Sequence, residues 1–154
     1  MNFSQITDDL YIGTTPNRRD LDVLRELGVR LVINMRMTRG PRPAKGDPAL
    51  HYLWLRTFDN PLLPIPIRAL MRGAHTALDA METGGKVYAH CARGRHRSVA
   101  MAAAILIAQG FAPEKAMGLI EERREVADPY AFYIRRRILL FARHWERMQT
   151  ASSE

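Results

Sequence analysis

A cysteine and an arginine stand five residues apart in the run His90-Cys91-Ala92-Arg93-Gly94-Arg95-His96-Arg97-Ser98. The apolar residues Val87-Tyr88-Ala89 lead into this run, and a long apolar segment follows it. A strand that enters a tight loop and leaves as a helix turns free N–H groups back onto the loop, which is the layout of a phosphate cradle. A cysteine at the floor of such a loop is held toward its thiolate by those N–H groups and by the helix dipole. The effect can bring a thiol pKa from about 8.5 into the range of roughly 3.5–7.5. The backbone N–H groups of Ala92, Arg93, Gly94, Arg95, His96 and Arg97 would meet the oxygens of a phosphoryl group, and Arg97 would add a bidentate, charge-assisted pair of bonds.

A thiolate attacking phosphorus forms a phosphocysteine that water then cleaves, and the departing oxygen needs a proton. Asp59 is placed for that role. It sits at the end of an apolar run, beside Asn60-Pro61. To act as an acid it must hold its proton, so partial burial is expected to raise its pKa. The plainer role for Asp59 is capping the turn before Pro61. Asp128, followed by Pro129, is the rival acid, and it is read here as a helix cap with proline at the first helical position. Arg93, Arg95 and His96 make the loop basic; they either face the pocket mouth, where they would meet further phosphates or a lipid headgroup, or pair with neighbouring carboxylates. Arg123 and Arg124 could reach the same region.

The spacing His90-Cys91-x-x-Gly94-x-x-Arg97-Ser98 resembles the signature of the cysteine-dependent protein tyrosine and dual-specificity phosphatases. Five specified positions, two of them scarce residue types, coincide by chance in well under about one chain of this length in a thousand. The opening from Ile6 to Asn34, with Tyr11-Ile12-Gly13, is similar to the start of dual-specificity phosphatases. The resemblance implies Cys91 as nucleophile, Arg97 as phosphate ligand and Asp59 as general acid on its upstream loop. It implies that the Ser98 hydroxyl helps the thiolate leave, and that His90 orders the loop and tunes the thiol through hydrogen bonds. It implies no metal and no cofactor. The loop also resembles that of mitochondrial-type phosphatidylglycerophosphate phosphatases, without their acidic, tyrosine-containing upstream motif.

Elements must place these residues. Ile6–Gly13 reads as one short strand. Asn17 then caps a helix, with Asp20 three residues on, an apolar stripe of Leu21, Leu24 and Leu27, and Gly28 as the stop. Val29–Asn34 and His51–Arg56 read as strands. Between them lies a loop, 36–48, whose Arg36, Arg39, Arg42 and Lys45 either rim the site or form a solvated connector. A helix follows over about 66–82, then a strand from Lys86 to His90. Ser98–Gln109 is apolar on every side, which marks a central helix. Another helix opens near Pro113, and a last one carries Ile134, Ile138, Phe141, Ala142 and Trp145 on one stripe, fraying after about Met148. Strands alternating with helices predict a single α/β domain, residues 1–154 with a core of about 6–147, built on a central, mostly parallel sheet flanked by helices.

Composition narrows the field. The chain has 154 residues, 47% hydrophobic, with one cysteine and hence no internal disulfide. A formal net charge of +7 favours anionic partners. The first residues lack the pattern of a signal peptide, and no apolar run reaches membrane-spanning length. A cytoplasmic monomer acting on phosphorylated substrates is expected, proteins first, with phospholipid, inositol phosphate or RNA 5′-phosphate as alternatives. A sulfurtransferase of the rhodanese type ranks lower because its loops close after four residues, and a non-catalytic phosphate-binding module ranks lower because thiol, arginine and acid are all present.

Overall fold

The computed structural model describes residues 1–38, 40–41 and 50–153. Most of the 36–48 loop, including Arg39, Arg42 and Lys45, therefore lies outside the described residues.

The segment expected to be one strand is two. β1 (Phe3–Thr7) and β2 (Leu10–Gly13) pair antiparallel across a turn at Asp8-Asp9. Two adjacent carboxylates fit an exposed turn better than a pleated ladder, and only Leu10–Gly13 is buried throughout. α1 (Arg18–Glu26) starts as expected. The Asn17 side chain accepts from the Asp20 N–H at 2.9 Å, and the Asp20 carboxylate accepts from the Asn17 N–H at 2.8 Å. Gly28, at φ +93°, turns the chain into β3 (Val29–Asn34). β4 (His51–Trp54) stops two residues short of its expected end.

After β4 come α2 (Ile67–Glu82), β5 (Lys86–His90), α3 (Arg97–Ala108), α4 (Pro113–Arg123) and α5 (Phe132–Ser152). The sheet order is β1-β2-β5-β3-β4, with every pair parallel except β1–β2. This is the mixed, largely parallel sheet that the alternation of elements predicts.

β5 is the middle strand. His90 at its end lies opposite Gly13 of β2 and Asn34 of β3, so Cys91 leaves the sheet at the C-terminal edge of three strands. That edge is where open parallel sheets bind ligands. α1 packs Leu21 and Leu24 with Tyr11, Val29, Val32, Leu50 and Tyr88 on one side. The main core lies on the other side, among α2 to α5. Ser98 through Ile107 of α3 are all buried, most of them completely. Four alanines in that stretch let α2, α4 and α5 close around it, while Ile105 and Leu106 each contribute about 1.5–3 kcal/mol by burial. A helix fixed on every side holds its N-terminus still, and that N-terminus is the wall of the loop.

α5 differs from expectation at both ends. It begins at Phe132 with Ala131 as its cap, so Asp128 and Pro129 lie before it and do not cap it. It also continues past Met148 to Ser152, where the Thr150 and Ser152 hydroxyls donate to carbonyls one turn back at 3.0 Å each. On the inner stripe Ile134, Ile138, Phe141 and Trp145 are buried. Among the described residues, no helix is long and apolar enough to cross a membrane.

Candidate active site

Cys91 is 3% exposed and forms the floor of a cavity of about 150 Å³, walled by Asp59, Ala92, Arg93, Arg95, His96 and Arg97. The predicted nucleophile, acid and arginine thus share one small pocket. Its sulfur lies 3.2 Å from the Ser98 Oγ and accepts the Gly94 N–H at 3.2 Å. Burial pushes the thiol pKa up. The Ser98 hydroxyl and the backbone N–H groups of Ser98, Arg95 and Arg93 outweigh burial, and the net shift is downward.

The loop keeps its shape through a residue far along the chain. Gly94 has φ +64°, and a Cβ there would stand 2.6 Å from the Arg124 guanidinium. Arg124, 3% exposed, donates from Nε to the Gly94 carbonyl at 2.7 Å and from Nη2 to the Arg93 carbonyl at 3.0 Å. Its Nη1 donates to Asn2 Oδ1 and Ser4 Oγ of the first strand region. It does reach the loop, as the sequence suggested, but from beneath and not at the mouth. Arg123, the other arginine named there, is exposed.

Arg97 is fastened along one edge. Its Nη1 donates to the Thr57 carbonyl at 2.9 Å and the Met35 carbonyl at 3.3 Å, just beyond the ends of β4 and β3. Its Nε is buried and has no hydrogen-bond partner among the described residues. A buried cationic donor without an acceptor is costly and suits a site that receives an anion.

Asp59 departs from expectation. Burial does push its pKa up, but hydrogen bonds from Tyr133 and His96 and the charges of His96 and Arg97 together hold it below the ordinary carboxylate value. The Tyr133 hydroxyl donates to Oδ1 at 2.6 Å, and His96 Nδ1 lies 2.9 Å from Oδ2. In the free site Asp59 is an ionised carboxylate.

Asp128 is not the expected cap. Its N–H donates to the Arg95 carbonyl at 3.0 Å. Its carboxylate faces Arg95 Nη2 at 3.6 Å and His96 Nε2 at 3.7 Å. Of the three basic loop side chains, Arg95 and His96 therefore pair with carboxylates, while Arg93 lines the pocket and is exposed.

His90 is buried, yet neither ring nitrogen has a hydrogen-bond partner among the described residues. The expected bonds to the loop are not made. Burial and the Arg36 guanidinium bring its pKa down to about 3; the Cys91 backbone lies close enough to oppose this, though not in hydrogen-bonding geometry. Arg36, expected either to rim the site or to lie in a solvated connector, is half-buried and donates to Thr15 Oγ1 at 3.0 Å. That hydroxyl donates in turn to the Cys91 carbonyl, at the long distance of 3.4 Å.

Sequence reasoning missed Tyr133 entirely. The only signal was an aromatic beside the polar face of α5, which is too common to single out. A larger cavity, about 900 Å³, lies between the far end of α3 and α5 and includes Ile107, Phe111 and Trp145. It contains no thiol and sits at the opposite end of α3 from the loop, so chemistry and not volume selects the site.

Comparison with known proteins agrees with this geometry. The family described as dual specificity phosphatase, catalytic domain, matches residues 10–141. Protein-tyrosine-phosphatase MKP1 of Arabidopsis thaliana is 26% identical over 128 residues, covering 82% of this chain and only 16% of that protein. Dual specificity phosphatase 28 of Mus musculus is 28% identical over 133 residues, covering 82% of this chain and 76% of the relative. The crystal structure of PTPMT1 in complex with PI(5)P superposes with a TM-score of 0.79 at 24% identity, over 99% of both chains.

Proposed function

Because the chain belongs to the dual specificity phosphatase catalytic-domain family, and is a cysteine-dependent phosphatase, we propose that it hydrolyses phosphomonoesters of proteins through a phosphocysteine intermediate. The observation that carries the reading is the pairing of a thiol held toward its thiolate with the unpartnered Arg97 Nε in one pocket. The phosphoryl group rests on the loop N–H groups and on Arg97, with phosphorus above the Cys91 sulfur. Attack forms the S–P bond as the bond to the leaving oxygen breaks, and Asp59 gives that oxygen a proton. A dianionic phosphate arriving beside Asp59 raises its pKa from the depressed value of the free site, which lets an ionised carboxylate become an acid. Water then attacks phosphorus, Asp59 takes its proton, and the Ser98 hydroxyl hydrogen-bonds the departing thiolate.

The test is hydrolysis of an aryl phosphate without added metal. Cys91→Ser should lower turnover by a factor on the order of 10³ or more, and vanadate should inhibit the wild type. A Cys91→Ser protein as active as the wild type sinks the mechanism.

A second reading, phosphorylated lipid as substrate, has its own support. Phe58, Leu62 and Leu63 on the Asp59 segment, and Tyr130 and Phe132 beside Tyr133, are large apolar residues in water; Leu62 is 87% exposed and Phe132 65%. With Arg93 at the pocket, they would suit a phosphate presented at an apolar–polar boundary. PTPMT1, the similar fold above, was crystallised with PI(5)P. Initial rates on a phosphotyrosine peptide, a phosphothreonine peptide and a phosphoinositide in vesicles separate the two. A preference for the vesicle substrate of about tenfold or more in kcat/KM would replace the protein reading.

A further inference from the structure

We propose that the acid of the reaction is a pair, Asp59 with His96, sharing one proton, and that Asp128 and Tyr133 are the positioning residues that hold the pair in register. The inference rests on the reading that Asp59 serves the leaving group.

Asp59 faces the pocket with both oxygens engaged, Oδ1 by the Tyr133 hydroxyl at 2.6 Å and Oδ2 by His96 Nδ1 at 2.9 Å. The imidazole stands between two carboxylates, because its Nε2 is 3.7 Å from Asp128 Oδ2. Only the Nδ1 contact is of hydrogen-bond length; the Asp128 carboxylate faces Nε2 as a charge, and two carboxylates on one ring attract a shared proton to it. The Tyr133 hydroxyl also lies 3.1 Å from Nδ1, and the two rings meet edge-on with centroids 5.5 Å apart. This places three chain segments on one imidazole: the loop after β4, the α4–α5 connection and the first turn of α5. The other charged groups around it are on its own loop: Arg95, which shares Asp128 at 3.6 Å, with Arg93, Arg97 and Cys91 facing the same pocket. The Tyr133 phenol is pushed up to about 12, chiefly by burial and then by its bond to Asp59, so it remains a donor throughout.

The cycle balances with one proton. The proposed cycle starts with the shared proton on Nδ1 and Asp59 as carboxylate. When the phosphoryl dianion enters, repulsion moves the proton across the 2.9 Å bond to Oδ2, leaving neutral imidazole and a carboxylic acid with no change in total charge. Asp59 passes it to the leaving oxygen as that oxygen's bond to phosphorus breaks. In the second half, water loses a proton to Asp59 as it bonds to phosphorus and the S–P bond breaks. That proton returns to Nδ1 when phosphate departs.

The experiment is the pH dependence of kcat and kcat/KM for wild type, Asp59→Asn, His96→Asn and Asp128→Asn, on an alkyl phosphate that needs its leaving group protonated and on an activated aryl phosphate. Asparagine at 96 can still donate one hydrogen bond to Asp59 but carries no transferable proton. His96→Asn should move the alkaline limb toward acid by about one pH unit or more and cut the alkyl rate near pH 7 at least tenfold. The loss on the activated aryl phosphate should be several-fold smaller. Asp128→Asn keeps the imidazole and should shift the limb the same way by less, which serves should His96→Asn fold poorly. A limb that stays in place in both variants, whatever happens to the rate, overturns the pair. If Asp59→Asn itself retains the wild-type limb, the reading of Asp59 fails and the pair falls with it. If Asp59→Asn flattens the limb and the other two leave it alone, only the pair falls.

Discussion

At the scale of single residues, the reactivity of Cys91 is a contest that burial loses. Burial favours the neutral thiol, and of the groups opposing it the Ser98 hydroxyl at 3.2 Å has the largest effect. Ser98→Ala should raise the thiol pKa. Alkylation by iodoacetamide as a function of pH measures this directly, and slower phosphocysteine breakdown should appear as a pre-steady-state burst. An unchanged alkylation curve would assign the low pKa to the backbone N–H groups alone. The parts of this contest were legible in the sequence because they are neighbours in it: Cys91, Gly94, Arg97 and Ser98 lie within one loop and the first turn of α3. What surrounds Asp59 was not. Its partner His96 is 37 residues away and Tyr133 is 74 away, and the expectation that burial would raise its pKa failed because these donors favour the carboxylate more than desolvation opposes it.

Among the elements, α1 is the piece that depends most on local chemistry. It covers its side of the sheet with few buried side chains, Leu21 and Leu24 foremost, so its N-terminal capping box carries a large share of its stability. Asn17→Ala should cost about 1 kcal/mol, seen as a Tm lower by about 2–4 °C, with turnover per folded molecule unchanged at 25 °C. A fall in activity without a fall in Tm would mean that α1 supports the loop in a way the fold does not reveal. The box and the Gly28 stop could be read in advance because a cap is written within four residues. The β1–β2 turn and the start of α5 could not. Asp8-Asp9 sits inside an otherwise plausible strand, and Asp128-Pro129 has the composition of a helix start. Its carboxylate is claimed instead by Arg95 and His96.

For the molecule as a whole, His90 couples the folded state to pH. It lies at the centre of the sheet, where three strand ends converge. Its pKa is about 3 in the folded chain and about 6.5 when unfolded. Above pH 6.5 the imidazole is neutral in both states and its burial carries no protonation penalty. As pH falls from about 6.5 toward about 3, only the unfolded chain takes up the proton, so stability falls across that window by an amount on the order of a few kcal/mol. Thermal melts from pH 7 to pH 4 should show this slope in the wild type and a shallower one in His90→Asn. Equal slopes would mean that the acid sensitivity lies elsewhere.

Arg124 carries one more consequence, and it concerns the order in which the chain is made. Its guanidinium joins Asn2 and Ser4, which precede the loop in the chain, to the carbonyls of Arg93 and Gly94. Tyr133, later still, closes on Asp59. A nascent chain that has emerged as far as α3 has its cysteine and arginine but neither the strut beneath the loop nor the tyrosine that holds Asp59. Because folding during synthesis proceeds from the N-terminus, the loop that carries Cys91 is made before the residues of α4 and α5 that brace it, and its geometry is completed only when they have followed it.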